Sequence, residues 1–204
     1  MTAGRRPVNA SKGARDEAYR SLRSTIKFAA GDARIRSVLI VDADRDEASD
    51  TAQQVAQAFA NAGDRCAFVD ANFRSGAGTT PGFSDVLAGS ATLESILKAS
   101  DSDDGYVAVG PGTVISPDLL AGDRVSVALE GLLERFEYVI LSTASLPAYS
   151  DAISLATRVD ASILVVTSGK SRRPRAVEAR DALQRVGARV LGVVLIESRR
   201  RLFW

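Results

Sequence analysis

The chain has 204 residues, a length that suits one α/β domain with a sizeable core and leaves little room for a second. A composition of 46% hydrophobic and 25% charged residues excludes a wholly disordered chain, and 26 basic against 25 acidic residues give no support for nucleic-acid binding. Histidine is absent and Cys66 is the only cysteine, which excludes a Ser-His-Asp triad, His-bearing zinc sites, cysteine metal clusters and an internal disulfide.

Residues 1–14, rich in Gly, Arg, Ser and Pro, read as a flexible arm, and no signal-peptide core or membrane-length apolar run follows. A cytoplasmic location is expected, with any association with the inner membrane made through a partner. A helix is predicted from Arg15 to about Ala30, with Tyr19, Leu22 and Ile26 on one face and Gly31 past its end. SVLIVD at 37–42 reads as a strand, TAQQVAQAFANAG at 51–63 as an amphipathic helix and CAFVDA at 66–71 as a strand. After a loop at 75–82 come two short helices, FSDVLAG and TLESILKAS, and a strand at 106–111.

SPDLLAGDRVSVALEGLLERF reads as one helix, YVILST at 138–143 as a strand, and SDAISLATRV as a short helix. ASILVVTSG at 161–169, AVEARDALQRVG and VLGVVLIES at 190–198 complete the alternation as strand, helix and strand. Short apolar strands alternating with helices predict a doubly wound, mostly parallel sheet with helices on both faces. Ligands in such folds sit at the carboxyl ends of the strands, which brings Asp42, Asp70, Ser142 and Thr167 to one edge.

EAYRSLRSTIKFA at 17–29, VDANFRSG at 69–76, PGFSDVLAG at 81–89, FEYVILST at 136–143 and the stretch SDAISLATRVDASILVVTSGKSRR resemble the bacterial tyrosine autokinases of capsule and exopolysaccharide synthesis. These belong to the MinD/ParA-like deviant Walker P-loop ATPases. The resemblance spans about residues 15–198, with 199–204 left as a basic and aromatic tail, and implies one P-loop-type domain. It also implies that a glycine-rich loop after the first strand would cradle the phosphates of ATP, with a lysine to neutralise them and a Ser or Thr to hold magnesium.

At the matching positions stand Asp42, Ala43, Asp44, Arg45, Asp46, Glu47, Ala48 and Ser49: the family glycines fall on Arg45 and Glu47, its lysine falls on Ala48, and only Ser49 matches. A carboxylate about 6 Å from a phosphate charge costs on the order of 3 kcal/mol at an effective dielectric near about 20. Asp42, Asp44, Asp46, Glu47 and Asp50 oppose a single Arg45 in this segment. Asp50, followed by Gln53, also fits an N-cap, so that carboxylates would occupy the helix end otherwise open to phosphate.

Asp70 matches the first aspartate of the family's second acidic motif, Asn72 replaces the next, and Ser142 replaces the magnesium-linked aspartate of the third. Tyr149 is the last tyrosine, whereas the family carries a C-terminal tyrosine cluster. The expectation is a degenerate nucleotide site, no cofactor and a non-catalytic scaffold that docks to a membrane polysaccharide co-polymerase, or chain-length regulator. The alternatives are a weak ATP- and magnesium-binding tyrosine autokinase of the same pathway and a MinD/ParA-like positioning ATPase.

Glu17, Arg20 and Arg23 complete the family's E-x-x-R-x-x-R pattern, which implies homo-oligomer contacts along one helix face. Gly169-Lys170-Ser171 follows the wrong strand for a P-loop, although Lys170, Arg172 and Arg173 form a candidate anion patch. LIVDADRD resembles a haloacid-dehalogenase nucleophile motif but lacks that chemistry's ordered lysine and acidic pair.

Overall fold

The six apolar runs join as strands of one parallel sheet, and the central strands β1, β4 and β5 are buried on both faces. The computed structural model describes residues 12–29, 34–43, 50–74, 78–98, 105–114 and 116–197. The elements are α1 Lys12–Phe28, β1 Ser37–Asp42, α2 Thr51–Ala60, β2 Cys66–Asp70, α3 Phe83–Ala88, α4 Leu93–Lys98 and β3 Tyr106–Val109. A 3-10 turn at Pro117–Ala121 follows, then α5 Arg124–Arg135, β4 Tyr138–Ser142, α6 Asp151–Ala156, β5 Ala161–Ser168, α7 Arg173–Arg185 and β6 Val190–Glu197. The sheet order is β3-β2-β4-β1-β5-β6, and every pairing is parallel.

The period-two alternation of the strands divides the core into two layers. Val38 and Ile40 pack with Ile26 of α1 and with Val55 and Phe59 of α2. Leu39 and Val41 face Phe83, Leu132, Leu155 and Leu183, from α3, α5, α6 and α7. Phe59 is wholly buried with its ring 4.3 Å from that of Tyr138; truncation to Ala would cost about 3–5 kcal/mol. Helix α1 is anchored by buried Ile26 and by Lys27, whose Nζ donates to Asp64 at 2.7 Å and lies over the Tyr138 ring.

Sequence and structure differ mainly where backbone geometry overrides apolar spacing. α1 begins at Lys12, within the segment expected to be an arm, and residues 1–11 lie outside the described residues. The single helix expected before β4 is interrupted because Gly122 is extended, at ψ 159°, between the 3-10 turn and α5. α7 starts at Arg173 rather than Ala176, with Pro174 in its first turn, where a missing N–H costs nothing.

Gly82 and Gly112 show why the loops before α3 and after β3 close on one another. A Cβ on Gly82 would lie 2.4 Å from the Gly110 carbonyl oxygen, and Gly112 adopts φ 100° beside Asp85. Asp85, 3% exposed, accepts from the amides of Gly82 and Thr113 and from the Thr113 hydroxyl. Burial acts to raise its pKa, but these donors win and hold the carboxyl below its ordinary value.

Candidate functional site

The carboxyl ends of β1, β2 and β4 meet on the face covered by α2. Asp42, Asp70 and Ser142 each continue the alternation of residues whose apolar members pack against α1 and α2. Register places Asp70 directly beside Ser142, and the Ser142 hydroxyl donates to Asp70 Oδ1 at 3.1 Å. The Asn72 amide donates to the same oxygen at 2.9 Å. Both bonds fall on Oδ1, which leaves the acceptor capacity of Oδ2 for a water or a cation. Burial raises the Asp70 pKa despite the opposing pull of the Asn72 and Ser142 hydrogen bonds.

Asp42 is 2% exposed and pairs in register with Val165, on the same side of the sheet as Thr167. The hydroxyls of Thr143 and Thr167, at the ends of β4 and β5, are buried and have no hydrogen-bond partner among the described residues. Buried hydroxyls of this kind ordinarily have partners, and those of Ser84 and Ser162 share the condition elsewhere in the molecule. Asp44, Arg45, Asp46, Glu47, Ala48 and Ser49 lie outside the described residues.

Asp50 corrects one expectation. It occupies the N-cap position of α2 but makes no side-chain cap bond, and its carboxylate instead lies 3.6 Å from Arg15. The exposed Arg15 guanidinium supplies a competing partner, so the α2 N-terminus is not filled by this carboxylate. An uncapped helix N-terminus suits a phosphate, and a carboxylate such as Asp70 suits a divalent cation held through water.

The oligomer stripe is divided. Arg20 donates to Glu17 at 2.9 Å within the helix, while Arg23 turns to Asp64 at 3.7 Å. Residues before β2 thus compete for one of the three groups, a tertiary contact that helical spacing alone does not reveal.

Three features escaped the sequence reading. Ser171, part of the rejected Gly169-Lys170-Ser171 motif, donates to the Ala43 carbonyl at 2.8 Å and accepts from the Thr167 amide at 2.9 Å. It braces the exit of β1 against the end of β5. Arg74 makes a two-pronged pair with buried Asp151, at 2.8 Å for each bond, and stacks on Tyr149. Asp160 binds the start of β1 from the opposite end of the sheet. Ser171 carried a local signal, its small hydroxyl just past a strand; the Arg74–Asp151 pair, 77 residues apart in sequence, carried none.

No protein-family model matches the chain. Tyrosine-protein kinase YwqD of Bacillus subtilis is 28% identical over 193 residues, covering 90% of this chain and 81% of that protein. Tyrosine-protein kinase CpsD of Streptococcus pneumoniae is 28% identical over 190 residues, covering 88% and 82%. The solved BceF tyrosine kinase domain superposes with a TM-score of 0.79 at 26% identity, over 90% of this chain and 78% of that one. A more distant likeness, of fold alone, extends to the MinC:MinD cell division complex of Aquifex aeolicus, with a TM-score of 0.56 at 18% identity over 81% and 69%.

These relatives overturn the expectation of a chain that is not an enzyme. Proteins named as tyrosine kinases align with nearly its whole length, and the kinase reading replaces the non-catalytic one. Phosphate contacts in a fold of this kind come from backbone amides as well as side chains, and Asp50, one of the carboxylates expected at the helix end, makes no cap bond there. The chain is a relative of the bacterial tyrosine-protein kinases, built on the P-loop-type α/β fold that MinD- and ParA-like ATPases share.

Proposed function

We propose that the chain is an ATP-dependent protein tyrosine kinase of low nucleotide affinity, which serves capsule or exopolysaccharide assembly beside a membrane co-polymerase. The observation that carries the reading is the carboxyl end of the sheet, where Asp70 is held through Oδ1 by Ser142 and the Asn72 amide, and where Asp50 leaves α2 without a side-chain cap bond. Amides of the first turn of α2 suit the phosphates. Asp42 and Asp70 suit a magnesium ion held through water, and Ser49 is the family-matched hydroxyl for it.

Magnesium-bound ATP would supply the phosphoryl group, and the cation would offset part of the repulsion between the phosphates and the carboxylates of this segment. Carboxylates of the acidic segment 42–50 would help to hold the metal, and the lysine replaced by Ala48 would account for low affinity. Ser142 holds Asp70 through Oδ1, which would leave Oδ2 to accept from a metal-bound water.

No described helix is long and apolar enough to cross a membrane, which fits a kinase reaching the co-polymerase by protein contact. Glu17 and Arg20, both on the exposed side of α1, are the groups of the stripe available to an adjacent copy in a homo-oligomer. Arg23 contributes by fixing α1 against Asp64.

The test is transfer of labelled phosphate from ATP to tyrosine, on this chain or on a tyrosine-bearing cytoplasmic segment of the co-polymerase. Magnesium-dependent phosphotyrosine that Asp70→Ala abolishes is the expected result. A folded wild-type protein that yields none at millimolar ATP would overturn the reading.

A further inference from the structure

The chain has four tyrosines, Tyr19, Tyr106, Tyr138 and Tyr149, and all four lie among the described residues. Three of them belong to the packing around α1 and α2. Tyr138 is 4% exposed and its ring lies against that of Phe59, and the Tyr106 hydroxyl is buried. Tyr19 is half-buried against the layer that holds Ile26, Val55 and Phe59. Tyr149 alone is exposed, at 39%, in a short exposed run with Ala148 and Ser150.

Tyr149 also stands at the sheet edge to which the nucleotide is assigned above. The segment that carries it leaves the carboxyl end of β4. Within that segment the Leu146 amide donates to the Asp42 carbonyl at 3.0 Å, and the Tyr149 amide turns back to the Ser145 carbonyl at 3.2 Å. Tyr149 is therefore three residues from a direct bond to Asp42, a span of at most about 11 Å of backbone. Its ring rests on the Arg74 guanidinium, 4.3 Å from the ring centroid, and buried Asp151 fixes that guanidinium through two bonds of 2.8 Å. Arg74 in turn follows Asp70 by four residues. A phenol already held against a fixed cation has less freedom to lose on meeting a phosphoryl donor. The same guanidinium lies close to the phosphate that the phenol oxygen would acquire.

We propose that Tyr149 is the residue of this chain that accepts phosphate, from ATP bound at the carboxyl edge of the sheet. The inference rests on the kinase reading above and names its acceptor. The phenol oxygen forms a bond to the γ-phosphorus as the bond from that phosphorus to the bridging oxygen breaks; ADP leaves, and the phenolic proton passes to water.

The test incubates the full chain with magnesium and ATP, alone and with a random polymer of glutamate and tyrosine, and maps phosphopeptides by mass spectrometry. A single phosphotyrosine, at position 149, is expected. Tyr149→Phe keeps the ring on Arg74 and should lose self-labelling while it phosphorylates the polymer at the wild-type rate. Label at Tyr19, Tyr106 or Tyr138, or self-labelling that survives Tyr149→Phe, would overturn the proposal. So would a chain that labels the polymer but not itself, a result that leaves the kinase reading standing. Labelling of neither would overturn both.

Discussion

The two ends of the parallel sheet handle polar groups in opposite ways. At the amino end, Asp160 accepts from the amides of Arg36 and Ser37 and from the Ser37 hydroxyl, at 2.8, 2.8 and 2.9 Å. Arg36 in turn donates its guanidinium to the carbonyls of Leu133, Phe136 and Glu137 at the close of α5. The hydroxyl of Ser162 is the exception at that end, buried without a partner among the described residues. At the carboxyl end, among the described residues, Asp70 is bonded through one oxygen only, and the buried Thr143 and Thr167 hydroxyls have no partner. The amino end thus uses Asp160 and Arg36 to hold strands and helix together, whereas Asp70 at the carboxyl end bonds only to its near neighbours Asn72 and Ser142 among the described residues.

Substitutions separate the two roles. The largest effect on function is expected from Asp70→Asn, which should lower magnesium-dependent phosphoryl transfer on the order of tenfold to a hundredfold, as loss of a group that orients a metal's shell does. Its stability should move the other way. The folded pKa of Asp70 lies above its unfolded value, so its contribution is full below the ordinary Asp range and is lost as pH rises through the folded value. Asp70→Asn should therefore match or exceed the wild type in urea at neutral pH, with the advantage shrinking in acid. A variant that is both inactive and unstable would show that Asp70 is an anchor like Asp160.

Asp160→Ala should cost about 2 kcal/mol of unfolding free energy in urea, through three lost donors, with no change in nucleotide affinity beyond that of the folded fraction. Asp85→Asn should behave with the opposite pH sign to Asp70→Asn. The Asp85 pKa is depressed, so its contribution is present above the unfolded Asp value and lost as pH falls through the folded one. Loss of about 1–3 kcal/mol at neutral pH should fade in acid, as read by thermal unfolding across a pH series. The smallest effect is expected from Arg20→Glu, which breaks only an exposed pair worth less than about 1 kcal/mol. It should leave melting unchanged and shift any oligomer toward monomer in sedimentation.

The strands were legible because buried parallel strands read as short apolar runs, and β1 through β6 fall within a residue or two of the runs that announced them. The convergence of Asp42, Asp70 and Ser142 was legible too, since each stands at the end of such a run. What escaped depends on distance in sequence or on competition between partners. The Asp50–Arg15 pair displaced an N-cap that local spacing favoured, and Gly122 broke a helix whose apolar periodicity ran straight through it. Ser171 sits in a motif that resembles a phosphate loop, yet it acts through hydrogen bonds to Ala43 and Thr167 on neighbouring segments. Loop charge misled most: the carboxylates of residues 42–50 could be counted from the sequence, but the direction in which Asp50 turns could not.

The central claim is that the carboxyl edge binds nucleotide with its metal. Titration calorimetry of the full chain with ATP, with and without magnesium and alongside Asp70→Asn, tests it most directly. The account predicts saturable, magnesium-dependent binding, weaker than micromolar and largely lost in the variant. No heat at millimolar ATP, or binding indifferent both to magnesium and to Asp70→Asn, would contradict it.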